Sequence, residues 1–376
     1  AEPVIAEAWD FGGTCLNRGC IPTKALIAAT NLFDQIKKAE QFGITSPAPT
    51  IDLSKVIDRK NQVVSKIVKG LRQLITHNKI EVINGTARVL GPGKVEIAQS
   101  DSRELNVERR TLELEGKTLI LATGSTPTPL PGIKFDGEKF LSSDDILNLR
   151  TIPKELNIVG GGVIGIHFAK IFSSLGTAGT IYEAKPEILA GVDEEVVALL
   201  KRILKRRGVN ILTSTAFDPG QTNHQTLICV GRTPNLTGLE NLELKMDGRR
   251  LLVNEKQETS VTGIYAVGAL SSQQQLAHVA YEQGVVAAEN ALGGKQTFDY
   301  DFVPYGIYTQ PEIAGVGLTE AGARANSSTE LGVKGLETRV GKFPLGALGI
   351  SQAMGEIEGF VKVVAAEDGQ LLGIHI

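Results

Sequence analysis

Two cysteines, Cys15 and Cys20, stand five residues apart in the stretch Gly12-Gly13-Thr14-Cys15-Leu16-Asn17-Arg18-Gly19-Cys20-Ile21-Pro22-Thr23-Lys24. Sulfurs so placed are suited to disulfide exchange, in which a thiolate attacks a disulfide sulfur. A regular helix turns about 500° over five residues and would put the two side chains on different faces. A disulfide needs Cα atoms within about 7 Å. The backbone must therefore be distorted between the cysteines, and Gly19 is suited to that. A helix-like run from Ala25 to Phe33 follows at once, and Pro22 is tolerated in a first helical turn. A helix opening here aims its positive end at the sulfurs and favours thiolate. The spacing alone also fits a structural disulfide or two buried thiols. It suits metal less well, because zinc sites usually space cysteines two to four apart and recruit a second pair. Only Cys229 remains, far along the chain, so no metal is expected.

The second stretch with chemistry is Leu156-Asn157-Ile158-Val159 followed by Gly160-Gly161-Gly162-Val163-Ile164-Gly165. It reads as a strand, a G-x-G-x-x-G turn and a helix from Ile166 to Leu175. A further strand, Thr180 to Glu183, ends in an acid 18 residues after Gly165. Gly160, Gly162 and Gly165 let backbone N–H groups approach a pyrophosphate at a helix start. Glu183 can accept from a ribose 2′-hydroxyl and would repel a 2′-phosphate, which favours NAD over NADP. The alternative is an ordinary tight turn between strand and helix.

Other elements must carry these two stretches. Val4-Ile5-Ala6-Glu7 reads as the end of a strand closing on an acid. Residues 53–75 place Leu53, Val56, Ile57, Val63, Val64, Ile67, Val68, Leu71, Leu74 and Ile75 on one helical face. A strand over 80–83 leads into Asn84-Gly85-Thr86-Ala87, read as a turn, and short strands over 88–121 read as a meander. Leu119 to Leu121 is a buried strand running into Ala122-Thr123-Gly124-Ser125. Pro127, Pro129, Pro131 and Gly132 mark a linker. Leu227 to Val230 is a strand with Cys229 as core, ahead of Gly231. Ile264 to Ala266 is another, leading to Gly268 and Ala269. Leu276-Ala277-His278 opens a helix on which His278 is a capping or packed residue.

With 376 residues the chain holds two or three domains. A net charge of −3 suggests neither nucleic acid nor an anionic membrane as partner. Three cysteines are no secreted disulfide framework, no apolar stretch nears the roughly 20 residues of a membrane span, and the first residues lack a signal-peptide pattern. Cytoplasm is the expected compartment, and there such a cysteine pair is catalytic more often than structural.

The thirteen residues from Gly12 to Lys24 resemble the redox loop of the flavin-dependent pyridine nucleotide-disulfide oxidoreductases, in wording nearest the dihydrolipoamide dehydrogenase branch. The resemblance runs, with breaks, from Gly12 to Ile376. It implies an α/β fold with two Rossmann-like domains, for FAD and NAD, and an α+β dimer-interface domain. The expected boundaries are 1–150 for the first flavin segment, 151–235 for NAD, 236–302 for the flavin return and 303–376 for dimerisation. It implies that a dithiol reduces a Cys15–Cys20 disulfide and that electrons pass through FAD to NAD, with Cys15 exchanging with substrate and Cys20 facing the flavin. The partner implied is a dihydrolipoyl group on the carrier domain of a 2-oxo acid dehydrogenase or glycine cleavage complex, served by a homodimer. Flavin contacts are implied for Glu7, Gly12, Gly13, Thr14, Lys24, Ala87, Thr123, Gly124, Ser125, Gly268, Ala269, Leu276, Ala277 and His278. NAD contacts are implied for Gly160, Gly162, Gly165, Glu183 and Gly231.

Several positions depart from the family pattern. The glycine turn upstream of Glu7 is absent, the segment between Thr213 and Leu227 is short, and Ala269 stands where an Asp holds the ribityl chain. His167 stands where a Glu pairs with Lys24, so the lysine would face an imidazole and flavin tuning would change. No histidine here has a glutamate five residues on, the family's base pair. Relative to the family the chain reads as incomplete at both ends and within the NAD domain. The alternatives are a mercuric or glutathione reductase-like enzyme, against which Glu183-Ala184-Lys185 argues for the NADP-linked glutathione case, or a non-catalytic nucleotide-binding scaffold.

Overall fold

The computed structural model describes residues 2–99, 110–325 and 338–376. The chain forms two compact units, each assembled from three segments. The first takes Ala1–Pro22, Arg59–Thr128 and Arg232–Asp299; the second takes Thr23–Asp58, Pro129–Gly231 and Tyr300–Ile376.

In the first unit, Val4–Glu7 lies parallel to Glu81–Gly91, which pairs antiparallel with Lys94–Gln99 and that in turn with Thr111–Glu115. The expected turn at 84–87 is instead the middle of one long strand. Residues 81–84 pair with the first strand, and from Gly85 the same strand pairs with 94–99. At this change of partner a Cβ on Gly85 would lie 2.6 Å from the Ala98 carbonyl oxygen, so the close approach needs glycine. The antiparallel run is the expected meander, of which residues 100–109 lie outside the described residues. Leu119–Leu121 pairs in parallel with Ile264–Ala266, and the helix Ala277–Ala291 follows. Val89, Leu121, Leu239, Leu251, Ile264 and Leu270 form the core between them.

The second unit holds a five-stranded parallel sheet, ordered Asn210–Leu212, Ala178–Tyr182, Glu155–Val159, Gln225–Ile228 and Phe140–Leu141. Ile158, Ile181 and Leu227 on it are fully buried, as continuous apolar strands in parallel sheets should be. Phe140–Leu141 falls in the segment assigned from sequence to the flavin domain, 1–150. It pairs with Thr226–Leu227 and buries Leu141 completely, so residues 129–150 belong with the second unit. The helices Val163–Ser174 and Glu194–Arg206 pack on this sheet's core, with Ile166, Phe168, Ile171, Leu200 and Leu204 buried.

The same unit ends in a five-stranded antiparallel sheet ordered Tyr305–Ile307, Ile313–Gly317, Leu371–His375, Phe360–Ala366 and Thr338–Pro344. Residues 326–337, within the expected dimerisation segment, lie outside the described residues. The helices Cys20–Lys37 and Leu53–His77 are longer than the runs read from sequence, and each has residues in both units.

Candidate functional site

The redox loop begins with Gly12 in a left-handed conformation (φ 100°), which turns the chain so that the Gly13 N–H donates to the Asp10 carbonyl at 3.0 Å. A short helix, Gly13–Arg18, then carries Thr14 and Cys15. The sequence led us to expect irregular backbone here; the distortion is confined to Gly19, with φ −136° and ψ −110°. A Cβ on Gly19 would stand 3.0 Å from the Thr14 carbonyl oxygen and 3.3 Å from the Cys15 Cα. The chain thus doubles back against Cys15 just before Cys20 opens the 18-residue helix Cys20–Lys37. Both cysteines are half-buried. Asn17 fastens the loop by donating from Nδ2 to the carbonyls of Phe11 (3.1 Å) and Gly13 (2.9 Å).

Other predicted residues of the first unit gather on strand ends. Glu7 closes its strand half-buried, and its Oε1 accepts the Trp9 N–H at 2.9 Å. Ala87 lies in mid-strand, where its carbonyl oxygen would be 2.4 Å from a Cβ on Gly238. Thr123 Oγ1 donates to the Asn235 carbonyl at 2.5 Å, and the Gly124 carbonyl accepts the Asn235 N–H at 2.9 Å. Gly124 is left-handed (φ 71°) with open space where a Cβ would be. Ser125 is buried; its Oγ accepts from Arg232 Nε at 2.9 Å. Gly268 donates its N–H to the buried Gln283 Oε1 at 2.9 Å, and Ala269 is half-buried in the turn Gly268–Leu270. Leu276 immediately precedes the helix Ala277–Ala291. His278 is exposed rather than packed, and no side chain caps this helix at Leu276. Asn235, Arg232 and Gln283 were missed from sequence because their partners lie more than ten residues away.

The nucleotide loop lies in the second unit. Gly160 is left-handed (φ 110°), and a Cβ there would strike the Cys229 carbonyl oxygen at 2.5 Å. One on Gly165 would lie 2.1 Å from the Gly160 carbonyl oxygen, whereas Gly162, the residue before the helix Val163–Ser174, has open space. Glu183 Oε2 accepts the Gly161 N–H at 2.7 Å and Oε1 the Lys185 N–H at 2.8 Å. The carboxylate is thereby fixed beside the loop. Cys229 follows the strand's last residue; its buried thiol donates to the Val159 carbonyl at 3.2 Å, and burial pushes it up to about 12. It is core beneath the loop, not a nucleophile. Gly231 is left-handed (φ 126°) and open.

Lys24 and His167 also fall in the second unit. The Lys24 ammonium sits 4.2 Å from the centre of the Tyr308 ring, and His167 Nε2 accepts the Tyr308 backbone N–H at 2.8 Å. Burial, and then the Lys24 charge, lower His167 to about 4. The imidazole facing Lys24 is therefore neutral near pH 7 and acts as an acceptor. Tyr308 joins the two.

The residues present fit both nucleotides. The open backbone at Gly162, at a helix N-terminus beside a fixed carboxylate, suits a pyrophosphate and a ribose diol. For a flavin nucleotide the first unit offers the Glu7 carboxylate and open backbone at Gly124, while Ala269 supplies no side-chain acceptor. Among the described residues, no cluster of three or more His, Cys, Asp or Glu could hold a metal. No helix among them is long and apolar enough to cross a membrane.

A cysteine pair at a helix start, with two nucleotide-binding units, defines an oxidoreductase that couples dithiols to a flavin and a pyridine nucleotide. Residues 2–284 match the model of the pyridine nucleotide-disulphide oxidoreductases and residues 303–376 that of their dimerisation domain. The chain belongs to this family, whose members use FAD and NAD. It is 39% identical over 391 residues to the dihydrolipoyl dehydrogenase of Chlamydia pneumoniae, covering 99% of this chain and 81% of that one. It is 38% identical over 399 residues to that of Thermus scotoductus, covering 99% and 82%. Among solved structures it resembles LpdA from Mycobacterium tuberculosis, with a TM-score of 0.87, 25% identity and coverage of 100% of this chain and 83% of that one. It also resembles the HOCl-induced flavoprotein disulfide reductase RclA from Escherichia coli, with a TM-score of 0.83, 25% identity and coverage of 100% and 84%.

Proposed function

We propose that the chain acts as a dihydrolipoyl dehydrogenase, oxidising a dithiol at Cys15 and Cys20. The observation that carries this reading is the fold-back at Gly19, which sets Cys20 at the head of a long helix and returns the chain to Cys15. One substrate thiolate attacks the Cys15 sulfur of the oxidised pair. The Cys15–Cys20 bond breaks, and Cys20 leaves as a thiolate stabilised by its helix N-terminus. The second substrate thiolate then attacks the substrate sulfur bound to Cys15, closing the substrate disulfide and releasing Cys15. The protein has gained two electrons. FAD and NAD, when bound, supply the carrier and acceptor for that pair. Glu183 orients the nucleotide by its ribose. Residues 1–128 and 232–302 are assigned to the flavin, 129–231 to NAD and 303–376 to dimerisation.

The substrate assigned is a dihydrolipoyl group on a carrier domain of a 2-oxo acid dehydrogenase or glycine cleavage complex, the enzyme a homodimer, and the compartment the cytoplasm. The relatives' names support the dihydrolipoyl substrate, and the C-terminal match supports the homodimer. The test is thiol counting after anaerobic dihydrolipoamide treatment of oxidised protein. Two new thiols, mapped to Cys15 and Cys20 and missing from Cys15→Ser, are expected; thiols that do not change would reject the reading.

A further inference from the structure

The short segment after Leu212 is stitched to the backbone that carries Glu183. The Glu183 N–H donates to the Leu212 carbonyl at 2.9 Å, the Thr215 N–H to the Glu183 carbonyl at 3.0 Å, and the Ser214 N–H to the Lys185 carbonyl at 2.8 Å. Ser214 makes this possible in a left-handed conformation (φ 50°), uncommon for a residue with a side chain. What holds the segment down three residues later is Phe217. Its ring meets Tyr182, the residue before Glu183, edge to face, with centroids 5.1 Å apart and planes at 73°. Further on, Thr222 Oγ1 accepts from the buried Asn157 Nδ2 at 2.7 Å, a second rivet onto the same sheet.

Glu183 has no freedom to spare in this arrangement. Each carboxylate oxygen already accepts one backbone N–H, from Gly161 and from Lys185. A ribose can be read only through the remaining lone pairs, whose directions are set by the backbone at 183–185. That backbone is set by the segment 212–215.

We propose that Phe217 is a positioning residue for Glu183, holding the segment whose N–H groups bond the main-chain carbonyls of Glu183 and Lys185, and so sharpens the choice of a nucleotide with an unmodified 2′-hydroxyl over one with a 2′-phosphate. This rests on Glu183 reading the ribose, as assigned above. Phe217 acts from behind, through Tyr182 and the main chain. An edge-to-face aromatic pair is favourable beyond its area burial, enough to bias one loop conformation. A group so placed alters discrimination without touching the ligand, because a displaced carboxylate loses a hydrogen bond to a hydroxyl but makes none to a phosphate.

Calorimetric titration of the full chain with NAD and with NADP tests this without turnover. Phe217→Ala is expected to weaken NAD binding about tenfold, with NADP binding no weaker than in the parent. Phe217→Tyr should match the parent. If Phe217→Ala does not fold, Phe217→Leu, which keeps apolar bulk, is expected to lose about threefold of the NAD preference with a parental melting temperature. Equal losses for both nucleotides, or an unchanged ratio in a folded variant, would overturn the proposal. Glu183→Ala separates the two levels. If it removes the preference while Phe217 variants do not, only the positioning role falls; if it leaves the preference intact, the reading of Glu183 falls and the proposal with it.

Discussion

His167 shows how one side chain changes its neighbours' chemistry. Its Nε2 accepts a backbone N–H, and Lys24 lies nearby, so burial and that charge both oppose protonation. The folded value, about 4, lies below the ordinary 6.5, so the unfolded chain takes up the proton first. Stability from this site is therefore complete above pH 6.5 and is lost as pH falls from 6.5 toward about 4. Denaturant midpoints of His167→Gln, whose amide oxygen can accept the same N–H, should fall less over this window than those of the parent. Equal slopes would show that the imidazole binds its proton equally well in the folded and unfolded chain, and the depression would be rejected. His167→Glu would put a carboxylate beside Lys24 and is expected to shift the bound flavin's absorption spectrum. An unchanged spectrum and rate would remove any tuning role from this position.

Among the elements, the nucleotide loop holds the sharpest contrast, between two of its glycines. Gly165 has no room for a Cβ, which would meet the Gly160 oxygen at 2.1 Å, whereas Gly162 has open space in a conformation any residue adopts. Gly165→Ala should cost about 1–3 kcal/mol of stability as overpacking does. Gly162→Ala should melt like the parent yet bind NAD at least about tenfold more weakly, its methyl filling the space a pyrophosphate needs. Retained binding in a folded Gly162→Ala would place the pyrophosphate elsewhere. Much of this element was legible in the residues: the strand, turn and helix around Gly160–Gly165, the acid at Glu183 and the break at Gly19 all follow from local rules. What the sequence missed depends on distant partners. The strand through 84–87 looked like a turn because Asn-Gly is a turn signal, yet neighbours on two sides keep it extended. Tyr308 beside Lys24 and Phe217 on Tyr182 carry no local pattern at all.

At the scale of the whole chain, charge ties distant segments of the second unit together. Lys362, 2% exposed, contacts Asp193 (3.0 Å), Glu195 (2.9 Å) and Glu320 (2.8 Å), and Lys342 also reaches Glu195. Asp193 is equally buried and caps the helix Glu194–Arg206 through the Glu195 N–H. Removing the central cation leaves Asp193 buried without it, so Lys362→Met should cost about 3–5 kcal/mol. Hydrogen bonds from Lys342 and Lys362 hold Glu195 below its ordinary range, and one from Lys362 does the same for Glu320. Their contribution is present above the ordinary carboxylate range and disappears as pH falls through the depressed values. The penalty of Lys362→Met, read from urea midpoints, should accordingly shrink in acid; a constant penalty would assign it to packing instead.

The interleaving of segments also sets a timetable for the emerging polypeptide on the ribosome. Residues 140–228 complete the parallel sheet among themselves, whereas Leu119–Leu121 waits for Ile264–Ala266 to be translated. Stalled nascent chains released at about residue 240 should resist protease over 140–228 while 59–128 is still cleaved, and protection of the latter stretch should appear only once residue 266 has cleared the exit tunnel.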